Sequence, residues 1–304
     1  MNKLIVIAGP TASGKTSLAV ALAHQLNCPI ISADSRQFYK ELAIGTAKPT
    51  ADEMEGVPHY FVDSHSIHHP ISAGEYERIA LQKVEELFQQ HKHLVIVGGS
   101  GMFIDALIYG TNQLPHSPQL REKWNEIYQE KGLDFLQEKL KEADIEYYKT
   151  VDLQNPVRLI RALEIIELTG QSYSSLRNQD KKPRFPTAYF VLDHPREILY
   201  ERINQRVYQM IDNGLIEEAK KEINNRHLQS LNTVGYKEVF QYLEGEIDKE
   251  RAIELIQQNT RRYAKRQLTW FRKTKEAVWI QPTDLKKAIQ TILNTIASIK
   301  TPNQ

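Results

Sequence analysis

Cysteine occurs once in this 304-residue chain, as Cys28, so there is no internal disulfide framework and no zinc site of the four-cysteine or two-cysteine, two-histidine kind. That scarcity fits a reducing compartment, and the expectation is a cytoplasmic protein. Long hydrophobic runs are also missing. Nothing approaches the ~18 apolar residues of a membrane span, and the short run at 4–8 behind Lys3 is no secretion signal. Neither sign of charge dominates: 39 basic residues stand against 38 acidic ones, a net charge of +1. Bulk attraction to a polyanion is excluded, and any nucleic-acid partner must be met by local clusters. With 41% hydrophobic residues over this length, the chain can bury one substantial core and carry a second small module.

What is present begins at the N-terminus. Gly9, Pro10, Thr11, Ala12, Ser13, Gly14, Lys15 and Thr16 match G-x-x-x-x-G-K-[ST], between a strand-like run and a helix-forming run at 17–26. Backbone N–H groups of such a loop turn onto phosphate oxygens, Lys15 adds a point charge, and the Thr16 hydroxyl can hold Mg²⁺. The loop implies a bound di- or triphosphate without saying whose.

Short β-branched runs recur at 29–33, 94–97 and 188–192, with a weaker one at 278–280, and helical patterns separate them. Apolar runs without alternation are strands covered on both faces, so the fold expected is α/β: a P-loop NTPase-like parallel sheet core with an inserted all-helical domain. Ser72 and Glu75 form a capping box that opens a crossover helix. Residues 1–113 and 184–304 are expected to make the core domain, and 114–183, charged and without strand-like runs, the helical insertion. The last insertion helix is expected to run from Pro156 to Leu168, with Gly170 as its cap. Pro195 opens a helix carrying Arg202 and Arg206, Gly214 breaks it, and 248–273 reads as one long helix. The tail 300–304 is expected to fray.

Asp34 follows the second strand, at the sheet edge where an open parallel sheet binds ligands. It suits a Mg²⁺ ligand through water, a partner for a substrate hydroxyl, or a general base; the bland alternative is a cap on the turn at Ser35. Ser100, among Gly98, Gly99 and Gly101, offers a hydroxyl to a ligand or serves as a helix N-cap. Arg158 and Arg161 share a helix face, and Arg202 and Arg206 are spaced to present two guanidiniums together. Arg261, Arg262, Lys265, Arg266, Arg272 and Lys273 are interleaved with Tyr263, Trp270 and Phe271. That is a footprint for RNA backbone and bases, or a charged helix whose aromatics dock on the core.

Taken together, the 9–16 loop, Asp34-Ser35-Arg36-Gln37-Phe38-Tyr39, Ile44-Gly45-Thr46-Ala47-Lys48-Pro49, the 98–101 turn, the 155–164 stretch beginning Asn155-Pro156-Val157-Arg158, Val234-Gly235-Tyr236 and Lys265-Arg266-Gln267-Leu268-Thr269-Trp270-Phe271-Arg272 resemble the bacterial tRNA dimethylallyltransferases. The resemblance covers residues 4 to about 273. It implies transfer of the dimethylallyl group of dimethylallyl diphosphate to N6 of adenosine 37 in tRNA, with Mg²⁺. By it the catalytic residues are Asp34 as base, Ser100, Arg206 and Lys15, and Gly9 to Thr16 bind the diphosphate, with Thr16 on the metal. The tRNA contacts it implies are Asp34, Ser35, Arg36, Gln37, Ser100, Arg121, Val157, Arg158, Leu159, Ile160, Arg161, Gly235, Tyr236, Lys237, Lys265, Arg266, Gln267, Trp270 and Arg272. A monomer that binds tRNA through its anticodon stem-loop, with no membrane partner, is the expectation.

Three positions depart from the family pattern: Ala43 stands where an acidic residue is usual, Ser100 replaces threonine, and Met102-Phe103 replaces Leu-Tyr. None removes a group the chemistry needs. Two other readings of the residues stay open. A small-molecule or nucleoside kinase would consume Mg·ATP but leaves the basic C-terminal helix unexplained, and a P-loop RNA-binding protein without catalysis would tolerate loss of Asp34.

Overall fold

The computed structural model describes residues 2–112, 114–177 and 182–298; the expected fraying of the 300–304 tail lies outside them. The chain divides into two compact units, Met1–Gly110 with Pro183–Gln304, and Thr111–Lys182.

In the first unit β1 (Lys3–Ala8) leads through the phosphate loop into α1 (Lys15–Leu26), followed by β2 (Ile30–Ser32), a short α2 (Ala51–Met54), β3 (His59–Tyr60), α3 (Ala73–Leu87), β4 (His93–Gly98) and α4 (Gly101–Tyr109). The second unit holds α5 (Pro118–Ala143), α6 (Ile145–Tyr148), α7 (Pro156–Thr169) and α8 (Tyr173–Arg177). The chain then returns to the first unit with β5 (Thr187–Leu192), α9 (Arg196–Asp212), α10 (Leu215–Lys221), α11 (Tyr236–Leu243), α12 (Lys249–Phe271), β6 (Val278–Ile280) and α13 (Leu285–Ser298).

The six strands form one sheet in the order β3-β2-β4-β1-β5-β6, every pairing parallel. Central β1 pairs Leu4 with Leu94 on one side and with Thr187 on the other. Alternate β1 residues feed opposite faces. Leu4, Val6 and Ala8 join a core with Phe38, Tyr76, Phe103 and Phe271, while Ile5 and Ile7 join one with Leu18, Leu22, Ile289 and Ile292. Both faces are therefore dry, which is why the strand sequences run apolar without alternation. The loops at 9–14, 33–37 and 98–101 all leave the carboxyl ends of neighbouring strands.

The edge strand β3 was not expected: His59 and Tyr60 are half-buried and carry no strand-like run. In the second unit, α7 starts at an Asn155 cap whose side chain accepts the Arg158 N–H, and stops at left-handed Gly170. It is not the last helix of that segment. The five residues of α8 follow, too short for periodicity to reveal and tied down by Ser174, whose N–H and hydroxyl both donate to Asp144 at 2.7 Å. The long α5 bends at Gly132, φ 78°. This unit has its own core of Leu136, Leu140, Leu159 and Leu163.

Candidate active site

The phosphate loop is braced from outside by side chains distant in sequence. Gln267 accepts the Thr11 N–H at 2.9 Å, Arg202 Nε donates to the Ala12 carbonyl at 2.7 Å, and His194 Nε2 lies 2.9 Å from the Ser13 carbonyl. Arg206 donates to the Thr11 hydroxyl at 3.3 Å, and Lys15 Nζ to the Pro10 carbonyl at 2.6 Å. Ala12 is held in the left-handed region at φ 62°, and Gly14 at φ 85° caps α1. The first turn of α1 has no acidic residue, so its N-terminal N–H groups and dipole are left for an anion.

Residues Thr11 to Thr16 line a cavity of about 830 Å³ together with Asp34, Ser35, Arg36 and Gln37, Arg202 and Arg206 of α9, and Tyr263, Arg266 and Gln267 of α12. All of them belong to the first unit. Burial pushes the Lys15 ammonium down to about 7, against the pull of Asp34 and with a further push from Arg206. Burial also lowers Arg206, which Glu53 and Asp34 partly offset. Lys15, Arg202 and Arg206 around one partly dry cavity, beside a helix N-terminus, make a site for a strongly charged anion such as a diphosphate.

Asp34 shares this space, near enough to Lys15 and Arg206 to favour the charged form of both. Its Oδ1 accepts the Arg36 N–H at 2.9 Å, so it does cap the turn, while its carboxylate also lines the cavity. Ser100 sits at the N-cap of α4 but makes no side-chain capping bond. Its hydroxyl accepts the Ser35 N–H at 3.0 Å and donates to Ser35 Oγ at 3.1 Å, fixing the loop that carries Asp34. Burial, with Asp34 adding to it, raises the Tyr263 hydroxyl to about 12. A neutral phenol and a carboxylate thus flank the same corner.

The residues assigned to RNA separate into groups. Lys265, Arg266 and Arg272 are exposed on one face of α12, whereas Ala264, Gln267 and Phe271 are buried on the other. Gln267 and Trp270 turn inward: Gln267 bonds both Thr11 and Gly99, and Trp270 Nε1 donates to Asp105 at 2.8 Å. Tyr236 is wholly buried, donating to Glu218 at 2.5 Å. Gly235 and Lys237 line the cavity beside Asn232, and Arg36 reaches the Ser230 carbonyl at 3.0 Å. Gly9 and Pro10 do not line it. In the second unit Val157 and Arg158 are exposed, Leu159 and Ile160 belong to the core, and Arg121 and Arg161 both bond the buried carboxylate of Glu164.

The glycines at 98, 99 and 101 do permit close approach, but of protein rather than ligand. A Cβ there would lie 2.3 Å from the Ala33 carbonyl oxygen, 2.2 Å from Gln267 and 2.2 Å from the Trp270 ring. Sequence reasoning missed Glu218, which accepts the N–H groups of Ala43, Ile44 and Gly45 at 2.9 to 3.0 Å and so shapes a cavity wall. It also missed His194. Neither belongs to a motif, and each contact joins chain segments more than a hundred residues apart.

A family model described as IPP transferase matches residues 37–274. A tRNA dimethylallyltransferase of Christiangramia forsetii is 50% identical over 290 residues, 95% of this chain and 96% of that protein. One from Flavobacterium psychrophilum is 46% identical over 301 residues, 96% of this chain and 98% of that protein. Among solved structures, the full-length tRNA isopentenylpyrophosphate transferase of Bacillus halodurans matches with a TM-score of 0.72 at 38% identity, covering 98% of this chain and 96% of that one. A eukaryotic dimethylallyltransferase acting on tRNA shares the fold, with a TM-score of 0.83 at 24% identity over all of this chain and 82% of its own.

Proposed function

The chain belongs to the IPP transferase family, and from that membership we propose that it transfers the dimethylallyl group of dimethylallyl diphosphate to N6 of adenosine 37 in tRNA. The observation that carries this reading is the cavity, where a braced phosphate loop and the cations Lys15, Arg202 and Arg206 share one space with Asp34 and the inner edge of the basic helix α12.

N6 attacks the first carbon of the allyl chain. The bond from that carbon to the bridging oxygen breaks, its electron pair leaves with pyrophosphate, and the N6 proton passes to the Asp34 carboxylate. An exocyclic amine is a poor nucleophile, so both ends need help: a base is worth roughly 10²–10⁴ in rate, and fixed positive charge stabilises the leaving group. Lys15, Arg206 and the loop N–H groups serve that end. Ser100 holds the base's loop through Ser35. The adenosine must leave its stack, which costs a few kcal/mol and least in a single-stranded loop. The exposed Lys265, Arg266 and Arg272, with Arg36 and Lys237, are proposed to hold the RNA backbone while it does so.

Mg²⁺ fits the oxygens here. Thr16, Ser32 and Asp34 line the cavity, and Ser32 Oγ is buried without a hydrogen-bond partner. A hard cation that keeps most of its water takes one or two protein oxygens beside substrate phosphates, and when bound it supplies charge to the departing pyrophosphate. The segment 114–183 is proposed to be a separate helical domain inserted in the core, with Arg121, Val157, Arg158 and Arg161 as its tRNA side.

The test is label transfer from dimethylallyl diphosphate to an anticodon stem-loop with Mg²⁺. Label that depends on adenosine 37, and disappears when guanosine replaces it, supports the proposal. Binding without transfer, or turnover of ATP instead, overturns it in favour of the RNA-binding or kinase reading.

A further inference from the structure

One buried amide joins the basic helix to the phosphate loop. The Gln267 residue is 6% exposed, on the inner face of α12. Its Oε1 accepts the Thr11 N–H at 2.9 Å, and its Nε2 donates to the Gly99 carbonyl at 2.9 Å. The two loops leave adjacent strands, β1 and β4, so this single side chain spans the sheet edge at the site. There is no slack in the arrangement, because a methyl group on Gly99 would lie 2.2 Å from Nε2. One turn along, Trp270 locks the same helix to Asp105 at 2.8 Å. Thr11, fixed through its N–H by Gln267, also takes Arg206 on its hydroxyl and precedes left-handed Ala12. The neighbours of Gln267 on the outer face, Lys265 and Arg266, are exposed.

We infer that Gln267 is a positioning residue, not an RNA contact, and that it couples engagement of RNA on α12 to the shape of the phosphate loop. Hydrogen bonds weaken steeply as distance and angle degrade, so a small displacement of α12 reorients the Thr11 N–H and the Arg206 contact with it. Such coupling is reciprocal: whatever RNA does to pyrophosphate affinity, pyrophosphate does to RNA affinity by the same factor. The inference rests on the transferase reading above, and its test separates the two.

Isothermal titration with Mg·pyrophosphate and, separately, with an unmodified anticodon stem-loop is made on wild type, Gln267→Met and Gln267→Asn, after thermal melting has established that each folds. Wild type is expected to bind both ligands, each raising affinity for the other. Either variant is expected to bind the stem-loop as wild type does and pyrophosphate ~5–10-fold more weakly, the scale of one lost hydrogen bond. The mutual enhancement is expected to vanish. Gly99→Ala reaches the same contact from the other side, so combining it with Gln267→Met is expected to add no further loss. Weakened stem-loop binding with unchanged pyrophosphate binding would make Gln267 an RNA contact and overturn the inference. So would additive losses, or failure of both Gln267 variants to fold. A wild-type protein that binds no pyrophosphate would instead overturn the transferase reading itself.

Discussion

Lys15 is a side chain whose chemistry the site alters strongly. Burial pushes its pKa down to about 7, so at neutral pH the ligand-free loop carries only part of that charge. An incoming diphosphate restores the proton. Affinity for dimethylallyl diphosphate is therefore expected to fall as pH rises from about 7 to 9, with proton uptake visible as a buffer-dependent heat of binding. Lys15→Met is expected to abolish the slope; a flat profile in wild type would place the charge elsewhere. The folding linkage has the opposite direction. Because the folded pKa lies below the unfolded one, ligand-free stability is expected to rise as pH climbs from about 7 towards the ordinary lysine value. This tuning was not legible in the sequence. The motif names Lys15, but the desolvation and the proximity of Asp34 and Arg206 are made by the fold.

At the scale of elements, α12 illustrates both what the chain discloses and what it conceals. Its alternation of Arg262, Lys265, Arg266 and Arg272 with Ala264, Gln267 and Phe271 is a helical period, and its start near residue 248 was legible. Strands β1, β2, β4 and β5 were equally readable, because being buried on both faces leaves unbroken apolar runs. Tyr236, Gln267 and Trp270 were not. Their residue types suit an RNA contact as well as an internal bond, and only tertiary packing decides that they face inward. Replacing Lys265 and Arg266 together with alanine is expected to weaken stem-loop binding and flatten its dependence on salt, measured as log affinity against log salt concentration. An unchanged slope would move the RNA surface off this face.

For the molecule as a whole, the segment Thr111–Lys182 has its own core and its own charged centre. Burial alone would raise Glu164, but bonds from Arg121, the Ser117 N–H and Arg161 outweigh it and hold its pKa below the ordinary carboxylate value. A depressed acid stabilises above its unfolded pKa and loses that contribution as pH falls through its folded one. Expressed alone, the segment is expected to unfold cooperatively and to weaken in acid, and Glu164→Ala to cost ~1–3 kcal/mol by leaving its donors without an acceptor. A segment that shows no cooperative transition would contradict its treatment as a domain. No described helix is long and apolar enough to cross a membrane.

The central claim is that Asp34 takes the proton while the loop holds the leaving group. Single-turnover transfer from dimethylallyl diphosphate to a prebound stem-loop, with stem-loop affinity measured in parallel, tests it most directly. Asp34→Asn is expected to slow transfer by roughly 10²–10⁴ and to leave that affinity unchanged. Transfer at the wild-type rate, or a loss of affinity that accounts for the whole loss of rate, would contradict it.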